Sequence, residues 1–481
     1  MLGPRAGLAA LLKRECPWLT VFGCICHSLA LCAAAACEKL DRNMVQFSHD
    51  VYNFLSFSSK RLSEYRECQV FVKAAKHSIL YPSKTRWLVM ENVCKRLVEQ
   101  WDALTLYFQS YLLENCPPAT NIYHGLKDLG IKLHYCFLSY ILEIVNSMNL
   151  EFQSEGVRIH KYLDVIDSGL STVMDNFISK GVLKGKYCFE IDHTQPQNFK
   201  PIDETYFGAR VSLMIAENSK PTAEQMRAIS PFRIRALEFY IELCSQIKKR
   251  VDFRDDFLNH LKCVSPSNAL SGKISSVAPL YLRFSSTIHF DIEELDRQWR
   301  ALFNLPDVEE KLANYAASLN RGSASKAKKG KKSVQKDAVY GFGFSLDIDA
   351  EDGNETDESD ENLCDSLATK VRNDNVPSSV ETTEPSVFWN FLLTQETVFC
   401  NFKVIVAYMR FIMCLPHSSA SAERQFSHLK LIRSPLRNKI APSTINALMH
   451  IDRYIPDVSK WEVPQDVLKK AKSWKTNKNQ I

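Results

Sequence analysis

Cys24 and His27 are the first side chains in this sequence whose types and spacing could do chemistry. A thiolate and an imidazole separated by two residues resemble half of a structural zinc site, which takes four ligands. The chain offers no second pair with a suitable spacing. We therefore expect neither residue to bind zinc, and we predict no metal site.

The pair lies in an apolar run, residues 18–37, which is either a membrane anchor or part of a folded core. Three basic residues precede the run, and its length fits a membrane span. However, Pro17 opens the run, His27 interrupts it, and no second apolar segment of that length follows. We favour a buried β-strand, "WLTVFG", followed by an Ala-rich core helix, "HSLALCAAAACEKL".

The composition is that of a large globular protein with ordinary charge. The chain has 481 residues, of which 45% are hydrophobic, and a net charge of +5, which permits nucleic-acid binding without requiring it. Length alone allows about two to four domains. The fifteen cysteines are scattered singly through apolar stretches. We interpret them as reduced intracellular thiols, because a disulfide framework is typical of short secreted domains.

From about residue 41 to 320 the pattern is helical nearly throughout. Within residues 84–113, apolar side chains recur every three or four positions and predict one long helix, with a buried face of Met90, Val93, Leu97, Trp101, Leu104 and Phe108. A second long helix is predicted over 234–253, with a basic C-terminal end. Breaks are expected at 115–121 and 193–208, where Pro and Gly occur.

Residues 321–385 differ from the rest in charge pattern. The segment 321–336 carries seven basic residues and no acidic one, whereas 347–365 carries ten acidic residues and no basic one. Blocks of like charge with little apolar content favour a disordered linker. Alternatively, the basic run is a nuclear-import or nucleic-acid-binding patch.

After the linker, apolar patterning returns and predicts helices broken at Pro416, near Pro435 and at Pro442. Ser418 or Ser419 is the expected N-cap of the middle helix, and Ser443 that of the last. The segment "LPHSSASAERQFSHLKLIRSPLRNKI", residues 415–440, lies across these breaks.

This segment resembles the C-terminal signature of the hAT superfamily of DNA transposases. That signature consists of a Pro, a run of Ser and Ala, Glu-Arg-x-Phe-Ser, a basic "LRN" element and an apolar closing helix, all present here in order. "KTRWL" at 84–88 is similar to the family's Thr-Arg-Trp motif, and "CICHSLAL" at 24–31 to its Cys-x-x-His element.

The resemblance implies a catalytic domain similar to ribonuclease H, in which two Asp and one Glu hold two divalent metals. It assigns the Glu to Glu423. It also aligns residues 1–19 with the segment that follows the second Asp, and no Asp occurs before Asp41. We therefore expect a catalytically inactive chain that needs no cofactor. Mg²⁺ or Mn²⁺ would be bound only if upstream Asp residues exist in a longer form.

The predicted architecture is mainly α. It consists of a ribonuclease-H-like remnant at 1–40, a large helical insertion at 41–320, the linker at 321–385, the hAT dimerisation region at 386–457, which completes the ribonuclease-H-like core, and a basic tail at 458–481.

The first functional hypothesis is self-association through the C-terminal helices, as a homodimer or with a related hAT-derived protein. Residues 388–393, 404–415 and 445–451 carry more apolar surface than three helices could bury alone. Alternatively, they pack only on the insertion domain of their own chain. The candidate dimerisation residues are Trp389, Phe426, Leu429, Leu436, Ile445, Leu448 and Met449.

The second hypothesis is DNA binding in the nucleus. Arg86 and Trp87 match family positions that hold a DNA end, where a Trp can stack on a base and an Arg can pair with a phosphate. Additional phosphate contacts are expected from Lys430, Arg433 and Arg437. The third hypothesis is that the chain is a fragment of an active transposase. None of these hypotheses predicts a membrane or a small-molecule substrate.

Overall fold

The protein is mainly helical, as predicted. The structure is a computed structural model that describes residues 7–16, 19, 21, 23–40, 43–82, 87–114, 116–154, 156–217, 221–327, 380, 383–397, 400–434, 437–454 and 465. Within these ranges, β-structure is confined to one two-stranded ribbon and an isolated bridge between Ile178 and Phe199.

The helices of the first half of the chain are α1 (Leu8–Glu15), α2 (Ile25–Cys37), α3 (Asn43–Ser56), α4 (Ser59–Phe71), α5 (Trp87–Glu99), α6 (Trp101–Ser110), α7 (Pro117–Lys127), α8 (Leu129–Gln153), α9 (Tyr162–Asp175), α10 (Lys180–Leu183), α11 (Ala209–Glu217) and α12 (Ala223–Arg250). Those of the second half are α13 (Asp256–His260), α14 (Pro266–Leu270), α15 (Ala278–Leu282), α16 (Ile292–Ala301), α17 (Val308–Ala327), α18 (Pro385–Leu392), α19 (Lys403–Met413), α20 (Ala420–Ile432) and α21 (Pro442–Tyr454).

These helices form two compact units. Among the described residues, the first unit contains those up to Ala327 together with 380–418, and the second contains 419–454 and 465. The predicted dimerisation region, 386–457, is thus divided between the two units, because α18 and α19 pack with the helical insertion.

The first unit is built on the two long helices α8 and α12, which pack against each other and against α2. Side-chain caps define where both helices start. The Asp128 carboxylate accepts a hydrogen bond from the Gly130 N–H at 2.7 Å, and Thr222 forms a reciprocal capping box with Gln225. Such caps satisfy N–H groups that have no partner within the helix. Both helices bury an apolar stripe, which includes Phe137 in α8.

The long helix predicted over 84–113 is two helices, α5 and α6, separated at Gln100. All six apolar residues of the predicted face are buried, so the periodicity identified the correct side of both helices. The Gln100 side chain is fully buried and hydrogen-bonded on both ends. Its oxygen accepts from the Tyr65 hydroxyl at 2.9 Å and from the Gln69 amide at 2.8 Å, and its amide donates to the Ala75 carbonyl.

Helices α18 and α19 are joined by the ribbon of β1 (Glu396–Thr397) and β2 (Cys400–Asn401), which pairs antiparallel. Their apolar faces are buried inside the first unit. The indole N–H of Trp389 donates to the Val264 carbonyl at 2.9 Å, and the ring of Tyr408 packs against that of Tyr281. Most apolar side chains of residues 388–393 and 404–415 are therefore covered by their own chain, which favours the alternative interpretation, although Leu393 is 41% exposed.

The ends of this segment are fixed by polar contacts within the first unit. Just before α18, the Glu384 carboxylate accepts from the Val157 N–H at 2.9 Å and pairs with the Arg158 guanidinium at 3.0 Å. After α19, the Ser418 hydroxyl donates to the Phe152 carbonyl at 2.7 Å. The segment from Glu384 to Ser418 is therefore held to the rest of the first unit at both of its ends. Burial lowers the pKa of His417, the residue before this anchor.

The N-terminal segment differs in part from its prediction. The Ala-rich helix forms as α2, but Leu19, Val21 and Gly23 lie outside any strand, and the other residues of the predicted strand are not among those described. In the part of the chain that the structure describes, no helix has the length and apolar character of a membrane span. Helix α17 continues to Ala327, past the expected start of the linker, and residues 328–379 lie outside the described residues.

Candidate dimerisation surface

Helix α20 begins directly after Ser419, which occupies the predicted N-cap position. Its hydroxyl makes no capping bond to the backbone and instead donates to the carboxylate of Glu423 at 2.6 Å. The helix ends at Ile432, where the Arg433 N–H still reaches the Leu429 carbonyl at 2.8 Å. Glu423 therefore lies in the first turn, where a negative charge is favoured by the helix dipole.

Helix α21 begins two residues earlier than predicted. Pro442 is its first residue, and Ser443 lies inside the first turn, so the prediction of Ser443 as N-cap is wrong. The Ala441 carbonyl accepts hydrogen bonds from the N–H groups of Thr444 and Ile445. Proline suits the first helical position because it has no N–H to leave unsatisfied and its φ angle is already helical.

The two helices pack against each other and leave large apolar side chains in solvent. Phe426 is 63% exposed, Leu431 is 74% exposed and Ile451 is 43% exposed. The remaining apolar residues that we predicted here, Leu429, Ile445, Leu448 and Met449, are half-buried. Leu436 lies outside the described residues.

Sequence reasoning did not single out Leu431, nor Ile451 within the apolar segment 445–451. Leu431 lies two positions after Leu429 and Ile451 two positions after Met449, which places each on another side of its helix, so a search for a single stripe passes over them. A helix that pairs on one face and exposes apolar residues on another carries two apolar stripes. We call the exposed residues Phe426, Leu431 and Ile451 the exposed apolar set.

Trp389, another predicted dimerisation residue, lies in the first unit and not in the second. Its side chain is fully buried in the first unit, where it contacts the ring of Phe388 at a centroid separation of 5.1 Å. The sequence alone could not separate a tryptophan that packs on its own chain from one that packs on a partner, because both lie in equally apolar segments.

The predicted phosphate-binding cations of this region lie at the surface. Lys430, Arg433 and Arg437 are all exposed. Trp87 is the first residue of α5, but its side chain is not among those described, and Arg86 lies outside the described residues. The structure therefore places the three C-terminal cations in one unit and leaves the Arg-Trp pair as a prediction.

The residues whose side chains could take part in catalysis or metal binding are not grouped into a metal site in the part of the chain that the structure describes. Glu423 is exposed and bonded to Ser419. Cys24 precedes α2, and His27 is exposed in its first turn. Over the described ranges, no three His, Cys, Asp or Glu side chains are grouped so that they could hold a metal ion.

Comparison with known families bears directly on the second unit. Residues 368–455 match the hAT family C-terminal dimerisation region, a range that includes α18 and α19 of the first unit and all of α20 and α21. The chain carries the dimerisation region of hAT transposase-derived proteins. This match confirms the resemblance inferred from "SSASAERQFS". No curated protein and no solved structure matches the chain.

Proposed function

We propose that this hAT-derived chain acts through self-association of α20 and α21. The observation that carries the proposal is the exposed apolar set, which lies on the last two of the four described helices in the matched dimerisation region. Moving a side chain such as Phe426 from water into an apolar interface is favourable by about 1.5–3 kcal/mol. A second copy of the chain is the proposed partner, and a related hAT-derived protein is the alternative.

The size of the surface predicts a concentration-dependent dimer. Each helix has 13 residues and is therefore about 20 Å long, and packed helices lie about 10 Å apart. One face of the pair then offers about 400 Å², whereas a stable interface covers about 800 Å² on each partner. We therefore expect association in the micromolar range rather than an obligate dimer.

The test is the molar mass of the full chain by light scattering across a range of concentrations. The wild-type mass should rise from monomer to dimer, and Phe426→Ser with Leu431→Ser should raise the dissociation constant by about tenfold or more. Leu113→Ser is the matched control, because Leu113 is 95% exposed and lies outside the matched region. A wild-type chain that stays monomeric at every concentration would contradict the proposal.

We further propose that Glu423 is a remnant without catalytic function, in a chain whose segments 1–40 and 386–457 derive from a ribonuclease-H-like core. The bond between the Glu423 carboxylate and Ser419 supports this, since it gives the carboxylate a structural partner. The test is strand cleavage of DNA in the presence of Mg²⁺ or Mn²⁺. Cleavage that is lost in Glu423→Gln would favour the alternative, a fragment of an active transposase.

DNA binding is the second candidate function, and the exposure of Lys430, Arg433 and Arg437 supports it. Each phosphate contact releases counterions, so the affinity should fall steeply with salt. Arg433→Ala should reduce the slope of log affinity against log salt concentration by about one, the value of one phosphate contact. Trp87→Ala should weaken binding to single-stranded ends, because the stacking of a base on the indole is lost. Affinity that does not change with salt would contradict this candidate.

Nuclear residence is proposed from the basic run at 321–336 and is tested by imaging a variant that lacks its lysines.

A further inference from the structure

Helix α20 carries its charges in an order that suits only one direction of pairing. Glu423 is the one acidic residue in the helix, and it lies in the first turn, whereas Lys430 lies in the last. At 100° per residue, Glu423, Phe426 and Lys430 fall within an arc of about 60°, and all three are exposed. The surface is therefore an exposed aromatic ring with a negative charge before it and a positive charge after it.

We propose that two copies of the chain pair through α20 in antiparallel orientation, with a two-fold axis at Phe426. This inference rests on the proposed self-association and adds its geometry. In this arrangement the two Phe426 rings pack on each other at the axis, and Glu423 faces Lys430 of the partner subunit. Because the axis is two-fold, the same ion pair forms twice.

The register follows from helix geometry. Glu423 lies three residues before Phe426 and Lys430 lies four residues after it, which at 1.5 Å per residue gives axial offsets of about 4.5 Å and 6 Å. After reversal of the second helix, the two side chains differ by about 1.5 Å along the axis, well within the reach of a Lys and a Glu. The antiparallel order also opposes the two helix dipoles favourably.

Parallel pairing would reverse these contacts. Glu423 would face Glu423 of the partner subunit, and Lys430 would face the partner's Lys430, so like charges would meet at both ends of the ring contact. Charge complementarity mainly selects orientation and partner, whereas the apolar contact supplies most of the affinity. The Phe426 contact would therefore hold the dimer, and the two charges would set its direction.

The test is a charge exchange in the full chain, followed by sedimentation velocity over a range of concentrations. Glu423→Lys alone and Lys430→Glu alone should each raise the homodimer dissociation constant by about tenfold, because two attractive pairs become repulsive. An equimolar mixture of the two variants should form a heterodimer with an affinity near that of the wild type, since each Lys then faces a Glu.

Lys439→Glu is the control, because it makes the same charge change on an exposed residue outside α20. Its dissociation constant should stay within about twofold of the wild type. A wild type that dimerises while both single variants keep its dissociation constant and their mixture binds more tightly than the wild type would overturn the antiparallel pairing, because that is the pattern of parallel pairing. A mixture with no gain over the single variants would also overturn it. Either result would keep the self-association. A wild type that never dimerises would overturn both.

Discussion

Replacement of Trp389 by Phe tests whether residues 388–415 belong to the core or to an interface. The indole N–H is the donor to the Val264 carbonyl, and the side chain is fully buried. Loss of the donor leaves a buried carbonyl unsatisfied, which costs about 1–3 kcal/mol. The smaller ring leaves a cavity that adds about 1 kcal/mol. The free energy of unfolding should therefore fall by about 2–4 kcal/mol, and Tm by about 2–6 °C.

The assay combines thermal unfolding with the dimer dissociation constant measured on the same samples. Trp299→Phe is the matched control, because its indole donates to the Ile274 carbonyl at 2.8 Å and its side chain is also fully buried. Both variants should lose stability by similar amounts and leave the dissociation constant unchanged. A Trp389→Phe chain with unchanged Tm and weakened dimerisation would refute the assignment of Trp389 to the core.

Two further predictions concern the first unit. Gly125→Ala should destabilise it by about 1–3 kcal/mol in urea unfolding, because the new methyl group would overlap the rigid Phe47 ring, whereas Gly181→Ala meets no atom within 4 Å and should be neutral or slightly stabilising. Burial, with a smaller contribution from the charge of Lys248, lowers the pKa of His193 to about 4. The unfolded state then binds more protons, so stability should fall as pH drops from about 6.5 to 4, by up to about 1.4 kcal/mol per pH unit, and His193→Gln should reduce this slope.

The helical core could be predicted from the sequence because apolar periodicity reports which side of a helix is buried. The six apolar residues between Met90 and Phe108 show this, since all of them are buried. The interruption at Gln100 could not be predicted, because its partners Tyr65 and Gln69 lie in another helix. A buried polar network depends on tertiary contacts, which leave no periodic signal in the segment itself.

Composition also does not show which surface an apolar segment packs against. Residues 404–415 and 445–451 looked alike in sequence, yet Tyr408 packs on Tyr281, more than a hundred positions earlier in the chain, whereas Ile451 remains exposed. The family motif located the dimerisation region correctly, but a sequence motif marks a stretch of residues and does not show what those residues pack against. Only the structure shows that α18 and α19 pack within the first unit, whereas α20 and α21 belong to the second.

This division changes what the dimerisation region can do. If α18 and α19 were at the interface, dissociation would expose core residues such as Trp389, and the dimer would be obligate. Their burial within one chain means that the first unit keeps its core whether or not the second unit is paired. Association through α20 and α21 is then free to be weak, reversible and selective in its partner, because no part of the core depends on it. In such a weak association, the charges of Glu423 and Lys430 would select the orientation of the two chains and the choice of partner, because a small apolar contact selects neither by itself.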